Sequence, residues 1–176
     1  KSTSKTVGKI TDPNTPPLKL KTIGVNLDYY NPATNHAGDF IFTRAKISLN
    51  RLILPFGQVI PGSEMSNYKD KIDPQLEFRL PMGTKVHALI DGVVVNIPKL
   101  YSNDYSIMVS DGVHNNWLYE TEHVINPLVK VGDHVTAGQV IAEVSPHDKE
   151  HYDGLGLVEI GILHGSDNGL PQHVCP

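Results

Sequence analysis

The stretch GTKVHALIDGVVV, from Gly83 to Val95, decides how this chain is expected to fold. A second stretch, GDHVTAGQVIAEV from Gly132 to Val144, repeats its plan: each opens with a glycine, places a valine three residues later and ends in a β-branched run. Glycine favours the turn that starts such a unit, and β-branched residues favour strands. The two stretches are therefore predicted to be related β-hairpin units of one small barrel-like sandwich.

Turn dipeptides punctuate the strand-rich sequence. Asp91-Gly92, Asp111-Gly112 and Asn168-Gly169 are typical of tight hairpins, and no segment shows a sustained helical period of apolar residues. The 15 glycines and 13 prolines also suit short strands joined by many turns. We therefore predict an all-β fold, a duplicated barrel-sandwich whose repeat is too short for a solenoid.

The length of 176 residues falls within the range of one folding unit. Residues 1–17 are rich in Ser, Thr, Lys and Pro and are predicted to form a flexible tether. From Leu18 onward apolar and polar residues alternate, which predicts a strand, and the aromatic and β-branched residues after Phe40 predict further strands. Residues 18–53 would thus form a β extension packed on a main domain at 54–176.

Charge and cysteine content exclude several classes of protein. The formal net charge is −4, with no basic cluster of the kind that binds nucleic acid or an anionic membrane. Cys175 is the sole cysteine, so neither an internal disulfide nor a cysteine-bound metal cluster can form within the chain. No apolar run is long enough to predict a membrane-spanning helix.

Several segments, taken in order, resemble one known family. They are PFG at 55–57, EFRLPMGT at 77–84 leading into DGVVV, WLY at 117–119, VKVGDHVTAGQVIAEV at 129–144 and GLVEIGIL at 156–163. As a set they resemble the lysostaphin and LytM type of zinc metalloendopeptidase. The resemblance implies a duplicated-hybrid-motif β-fold and an extracytoplasmic location. It also implies that active members cleave peptide cross-links of bacterial cell walls.

The resemblance also implies where a metal site would lie. The family takes three zinc ligands from H-x-x-x-D and H-x-H motifs, and they leave zinc an open position for water. Asp73 and Glu77 stand where the first motif has its histidine and aspartate. Leu157 and Glu159 stand where the second has its two histidines. These replacements predict a catalytically degenerate member of the family.

The acids at these positions predict a different cation. Carboxylate oxygens suit calcium or magnesium better than zinc, so Asp73, Glu77 and Glu159 are candidate ligands for calcium in particular. Residues four apart in a straight strand are ~13 Å apart, so Asp73 reaches Glu77 only through a bend, for which Pro74 is suited. The alternative is that each acid is an ordinary solvated or ion-paired strand residue. Without a cation, at least one of them should take up a proton or turn away.

Histidines and tyrosines supply the remaining candidate site residues. His123 lies four residues after Tyr119, where the family has a histidine two residues after a tyrosine, so it is a displaced candidate base. Tyr101, Tyr105 and Tyr119 are predicted to line a groove, because aromatic rings offer flat contact area with a polar handle. Trp117 is predicted to pack in the core instead. A zinc site built from His147, Asp148 and His151 is a further alternative.

Three functions follow from these residues. The first is a module that binds a protein or a carbohydrate-peptide polymer, or that braces another domain, without catalysis. The alternative is an active metallohydrolase with rearranged ligands that uses His123 as its base. A second alternative is a biotinyl or lipoyl carrier, because VKVGDHVTAGQVIAEV also resembles the second half of such domains, with Lys149 the candidate lysine to carry the cofactor.

Overall fold

The fold is that of a computed structural model, which describes residues 15–42, 49–62, 69–165 and 171–176. These residues form fourteen β-strands. In chain order the strands are β1 (His36–Ala37), β2 (Phe40–Ile41), β3 (Ile53–Leu54), β4 (Val59–Ile60), β5 (Lys71–Ile72), β6 (Leu76–Leu80), β7 (Lys85–His87), β8 (Gly92–Asn96), β9 (Tyr105–Ser110), β10 (Trp117–Ile125), β11 (His134–Val135), β12 (Val140–Val144), β13 (Gly156–His164) and β14 (Gln172–Val174).

Helical structure is minor in the described residues. It consists of one four-residue helix, α1 (Leu49–Leu52), and a 3-10 turn at Lys149–His151. None of the helices in these residues has the length and apolarity needed to cross a membrane. The predicted all-β fold is therefore confirmed.

Ten of the strands make one sheet, and the other four make two small ribbons, β1–β2 and β4–β5. The main path runs β11-β8-β9-β10-β13-β6-β3, with β12 joining β10 to β7 and β14 extending β13. All the strand pairings in the described residues are antiparallel, and the longest ladder joins β10 to β13. This ladder and the neighbouring β6 carry the candidate site.

The two repeated units are not hairpins, which corrects the sequence prediction. Strand β7 pairs with β12, with Val86 opposite Ala142, and β8 pairs with β11, with Val93 opposite His134. Each unit therefore pairs its strands with those of the other. The segments between the strands also bond to each other, because Ala88 N donates to the carbonyl of Gln139 and Gly138 N to that of Ala88. These contacts are between the units, so neither unit closes on itself as a hairpin.

Close packing requires a glycine at position 92, within the stretch from Gly83 to Val95. A Cβ at this position would lie 2.2 Å from the carbonyl oxygen of Ser110 on β9. Backbone cannot yield as the end of a flexible side chain can, so only glycine lets β8 approach β9 here. The Asp91-Gly92 pair thus marks a close strand contact, whereas Gly112 has the positive φ of 76° expected of a turn. Asn168-Gly169 lies outside the described residues.

The predicted strand beginning at Leu18 is absent, since residues 18–30 form no strand. Lys21 N donates to Leu89 O, and His87 N donates to Gly24 O, so the segment lies against the first repeated unit through scattered bonds. Gly24 has a φ of 76°, which interrupts the extended backbone that a regular ladder needs. Leu18, Leu20 and Ile23 nevertheless pack against the core and Val25 is buried, whereas Leu27 is exposed. Residues 1–14 of the predicted tether lie outside the described range.

A continuous apolar core fills the space beneath the main sheet. Side chains from the N-terminal extension and from both repeated units pack here against those of the central strands. The fully buried ones include Phe40, Leu52, Leu80, Val86, Ile107, Ile141 and Ile160. Trp117 belongs to this core at 7% exposure, as predicted, and its ring stacks on that of His164.

Candidate functional site

Three glutamates lie side by side across three neighbouring strands. Glu159 on β13 is directly opposite Glu77 on β6 and, on its other side, directly opposite Glu122 on β10. Residues that face each other in an antiparallel pair have Cβ atoms about 4.5–5.5 Å apart. The sheet register therefore assembles a row of carboxyl groups, which we call the glutamate row.

Burial keeps the glutamate row from being fully ionised. Burial, together with the nearby charges of Glu77 and Glu122, raises the pKa of Glu159 to about 9. Burial also raises the pKa of Glu77, although Arg79 opposes this shift, and it raises the pKa of Glu122. At neutral pH the Glu159 carboxyl is therefore protonated, which relieves the like-charge repulsion within the row.

Asp73 joins the glutamate row from the turn before β6. It is 1% exposed, and its carboxylate helps raise the pKa of Glu77. The bend expected at Pro74 is held by backbone bonds, because Asp73 N donates to Gln58 O and Gly57 N donates to Asp73 O. Oδ1 accepts from Gln75 N at 3.1 Å, whereas Oδ2 has no donor among the described side chains. A proton on the Glu77 carboxyl would supply the missing donor.

The donor set does not fit zinc. Of the positions where the family resemblance places ligands, Leu157 is a buried hydrocarbon and the other three are carboxyl groups. Zinc in such sites is commonly held by imidazole nitrogen, and none of these four positions carries a histidine. Within the described ranges, no three His, Cys, Asp or Glu side chains are arranged to hold a metal ion. The calcium site at Asp73, Glu77 and Glu159 stays a prediction.

His123 lies next to the glutamate row at a bulge in β10. The register between β10 and β9 shifts between Thr121 and Val124, and His123 has a φ of 55°. This conformation is costly for a residue with a side chain, and such strain persists where the surroundings hold it. It leaves the imidazole 3% exposed, with Nε2 3.9 Å from Oε1 of Glu159.

Asp104 holds His123 in this orientation. The Nδ1 atom of His123 lies 2.9 Å from Oδ2 of Asp104, and the hydroxyls of Ser102 and Ser145 also donate to this carboxylate. Burial opposes ionisation of Asp104, but the bonds from His123 and the two serines outweigh it and lower its pKa to about 2. Since Asp104 is ionised, Nδ1 carries the hydrogen of that bond. The other ring nitrogen, Nε2, faces Glu159.

A second histidine and a tyrosine cover His123. The rings of His123 and His147 stack with centroids 4.3 Å apart, and Tyr101 meets both edge-on. Burial lowers the pKa of His147, and the charge of His123 lowers it further. His147 is therefore neutral at pH 7. The alternative zinc site at His147, Asp148 and His151 gains no support from these positions, because a ring nitrogen of each histidine lies 3.9 Å from the Asp148 carboxylate.

The predicted groove tyrosines lie in different environments. Tyr101 is 87% exposed above His123, so it does border the site. Tyr105 is half-buried against the core. Tyr119 is 1% exposed, and its hydroxyl bonds the backbone N and O of Leu18, so it anchors the N-terminal extension rather than lining a groove. The side chain of Tyr119 points inward because it shares the core face of β10 with Trp117.

Several site residues were not identified from the sequence. Asp104 is 19 residues from His123, in a turn with no recognisable motif, so only the fold could pair them. Glu120 is buried and accepts a bond from Ser106 at 2.7 Å, with His173 of β14 3.2 Å away. The alternation of Glu120 and Glu122 on β10 was a signal that could have placed both acids on the face of the glutamate row.

The family comparison matches the domain that carries this site. Residues 73–158 match the model of peptidase family M23. The comparison with curated proteins gives no match. The matched residues include Glu77 and Glu122 of the glutamate row, the Asp104–His123 pair and both repeated units. Glu159 follows directly after them.

Solved structures share the fold. A mutant catalytic domain of the prophage-encoded M23 protein EnpA from Enterococcus faecalis is 24% identical, with a TM-score of 0.50, over 69% of this chain and 85% of that one. LytU is 20% identical with a TM-score of 0.52, over 69% and 80% of the two chains. Lysostaphin, solved by NMR, is 20% identical with a TM-score of 0.51, over 68% and 46%.

At these identities the structures establish the fold alone. The lysostaphin and LytM resemblance predicted from the sequence is confirmed. Residues 73–158 of this chain are therefore similar to peptidase family M23, and the chain has the lysostaphin-like all-β fold.

Proposed function

We propose that this domain is a catalytically degenerate M23 module that binds a carbohydrate-peptide polymer of the bacterial cell wall, outside the cytoplasm. The observation that carries the proposal is the glutamate row. Glu77 and Glu159 occupy positions where the family resemblance places zinc ligands, and Glu159 is protonated at neutral pH. Zinc in such sites is commonly bound by imidazole nitrogen, whereas a set made of carboxyl groups alone suits a harder cation. Such a site keeps the groove and loses the hydrolytic chemistry.

The groove also has chemistry suited to recognition. Protonated Glu159 can donate a hydrogen bond as well as accept one, which suits the hydroxyl and amide groups of a sugar-peptide chain. Tyr101 lies beside it with a largely exposed ring, and aromatic rings give flat contact area with a polar handle. The site thus combines a flat apolar contact with hydrogen-bonding groups.

Co-sedimentation with purified, insoluble bacterial cell wall tests this function. We expect the protein to pellet with the wall, and Tyr101→Ala to reduce the bound fraction several-fold. Tyr29→Ala is the matched control, because Tyr29 is also exposed, at 95%, and lies in the N-terminal extension. Binding that is absent, or equal in the two variants, would contradict the proposed groove.

A second candidate function is hydrolysis with His123 as the general base. The observation that favours it is the Asp104–His123 bond, which fixes the imidazole and leaves Nε2 facing the glutamate row. A positioned general base contributes about 10²–10⁴-fold to rate. Release of soluble fragments from cell wall by the wild type, lost in His123→Gln and kept in His151→Gln, would establish it. His151 is the control because its side chain is 79% exposed.

A carrier function has less support from the geometry. Lys149, the lysine that it would require, lies in the 3-10 turn Lys149–His151. A prosthetic group carried there would lie beside the loop residues that pack over His123. The calcium site remains a separate prediction, and calorimetric titration of calcium into the wild type and an Asp73, Glu77 and Glu159 triple alanine variant tests it.

A further inference from the structure

Arg79 is a buried cation with unused hydrogen-bond donors. It lies on β6 two residues after Glu77 and is 4% exposed. Its Nη2 atom donates to Oε2 of Glu77 at 3.0 Å, while Nε and Nη1 have no hydrogen-bond partner among the described residues. A guanidinium has five N–H donors and keeps its charge at any ordinary pH, so leaving donors unpaired in the interior is costly. An acceptor brought to these atoms would be bound strongly.

The loop between β12 and β13 covers this cation. Residues 146–155 of the loop place the Tyr152 ring 3.8 Å from Cζ of Arg79. They also place Oδ2 of Asp148 4.0 Å from Nη1, which is too far for a hydrogen bond. Asp148 therefore stands near the unused donors without satisfying them, and its side chain is 42% exposed. A ligand oxyanion could take the place of this carboxylate.

The covering loop is largely bonded to itself. Lys149 N donates to Pro146 O, Gly154 N to Lys149 O, and Leu155 N to Tyr152 O. Asp148 and Asp153 both have positive φ, at 56° and 54°, which non-glycine residues seldom adopt. The backbone bonds that tie the loop base to the sheet involve Ser145, which donates to His123 O and accepts from Leu157 N. Asp148 can therefore shift without breaking a ladder of the main sheet.

A cavity of about 320 Å³ leads to Asp148. Its lining residues carry charges of both signs; they are Ser102, Pro146, His147, Asp148, Lys149, Glu150 and His151. Sites for small ligands have volumes of about 300–1,000 Å³, so this space is larger than a carboxylate needs and leaves room for the residues attached to one. Glu77 and Asp148 both lie beside the Arg79 guanidinium, and their charges disfavour a doubly charged phosphate.

From this arrangement we infer that Arg79 binds the terminal carboxylate of a peptide, which enters through the cavity and displaces Asp148. Arginine and carboxylate form charge-assisted hydrogen bonds, about twice as strong as neutral ones. The guanidinium keeps its bond to Glu77 and directs its remaining donors to the ligand. This inference rests on the proposed binding function and names the part of the polymer that is recognised, a free peptide C-terminus.

Calorimetric titration with N-acetyl-alanyl-alanine, as the free acid and as the C-terminal amide, tests the inference. The free acid is expected to bind at least tenfold more tightly than the amide. Asp148→Asn removes the competing carboxylate and is expected to tighten binding of the acid several-fold. Arg79→Lys keeps a charge but loses the guanidinium geometry, and a tenfold loss is expected. Lys130→Gln is the control, because it removes an exposed cation from the turn before β11 without changing Arg79.

The outcomes separate this inference from the proposed function. Equal binding of the acid and the amide, no binding of either, or weaker binding by Asp148→Asn would overturn the role of Arg79. The Asp148→Asn result stands even if Arg79→Lys fails to fold, since Asp148 is on an exposed loop. If the protein pellets with cell wall while the two peptides bind alike, the carboxylate inference fails and the binding function survives. If it does not pellet with cell wall, the binding function itself fails.

Discussion

The Nδ1 atom of His123 donates a hydrogen bond to Oδ2 of Asp104 across 2.9 Å, and both side chains are buried. The bond joins a turn before β9 to the bulge in β10. It holds the second imidazole nitrogen 3.9 Å from Glu159, so that the ionised Asp104 and the protonated Glu159 lie on opposite sides of one ring. The predictions that follow begin with these two carboxyl groups.

Replacing Asp104 tests the network around His123. Asp104→Asn loses the ionic acceptor for His123 and weakens the bonds from Ser102 and Ser145, so we expect a loss of about 1–3 kcal/mol at pH 7. The folded-state pKa of about 2 lies below the ordinary value of 3.8. The stabilisation from Asp104 ionisation is thus present above pH 4 and lost between pH 4 and 2. Urea unfolding at several pH values measures both effects.

Ser102→Ala is the matched control for this variant. It removes one of the hydroxyl donors to Asp104 and leaves the carboxylate and His123 in place. We expect a smaller loss, about 1 kcal/mol, and a pH dependence that keeps the acid-sensitive step. An Asp104→Asn protein as stable as the wild type from pH 2 to 7 would show that the network contributes nothing to folding.

Glu159 is predicted to make the protein less stable as the pH rises. Its folded-state pKa of about 9 lies above the ordinary 4.5, so between these values the folded state binds the additional proton. Stability then falls with pH, by at most about 1.4 kcal/mol per pH unit for one proton. Glu159→Gln, which cannot ionise, should be more stable than the wild type at pH 8 and should have a flatter profile.

Glu143→Gln provides the comparison for Glu159→Gln. The hydrogen bond from Lys85 lowers the pKa of Glu143, so this variant should keep the fall in stability between pH 5 and 9. Thermal unfolding followed by circular dichroism at half-unit pH steps distinguishes the two. Parallel profiles for Glu159→Gln and the wild type would mean that Glu159 ionises normally.

Substitution by alanine should have very different effects on stability at Gly83 and at Gly92. A Cβ at Gly92 would meet the Ser110 carbonyl at 2.2 Å, so Gly92→Ala forces β8 from β9 and should cost about 3 kcal/mol or more. A Cβ at Gly83 would have no other atom within 4 Å. The cost of Gly83→Ala therefore comes only from the φ of 84°, and we expect about 1 kcal/mol. Similar unfolding free energies for the two variants would contradict the close strand contact.

The hydroxyl of Tyr119 is expected to hold the N-terminal extension in place. Tyr119→Phe removes the bonds to the backbone N and O of Leu18 without changing the buried ring. We expect a loss of about 1 kcal/mol and faster amide hydrogen exchange in residues 18–25. Tyr29→Phe, a change at an exposed ring, should leave that exchange unaltered. Unchanged protection in Tyr119→Phe would show that other contacts anchor the segment.

The sequence was sufficient for the fold class but not for the strand pairing. The glycine-to-valine spacing at Gly83 and Gly132 revealed two related units, and the missing helical period indicated an all-β chain. Neither signal shows which strands pair, because alternation along a strand fixes its inner face and not its neighbour. The pairing of Val86 with Ala142, across the two units, could be learned only from the fold.

The sequence likewise identified only part of the site. Asp73, Glu77 and Glu159 came from the family resemblance, and the structure places Glu77 opposite Glu159. Asp104 and Arg79 were not recognised as site residues, because their roles depend on burial and on contacts distant in sequence. The prediction for Tyr119 failed for a related reason: a tyrosine suits a groove or a core equally well until its exposure is known.

A hydrolysis assay on cell-wall peptide tests the central claim most directly. The protein is supplied with one equivalent of zinc, incubated with purified cross-linked cell-wall fragments, and the products are followed by mass spectrometry with and without a chelator. A degenerate M23 module should release no new peptide termini under either condition while still pelleting with intact wall. Cleavage that zinc supports and the chelator abolishes would show that the glutamate row holds a working metal and would contradict the account.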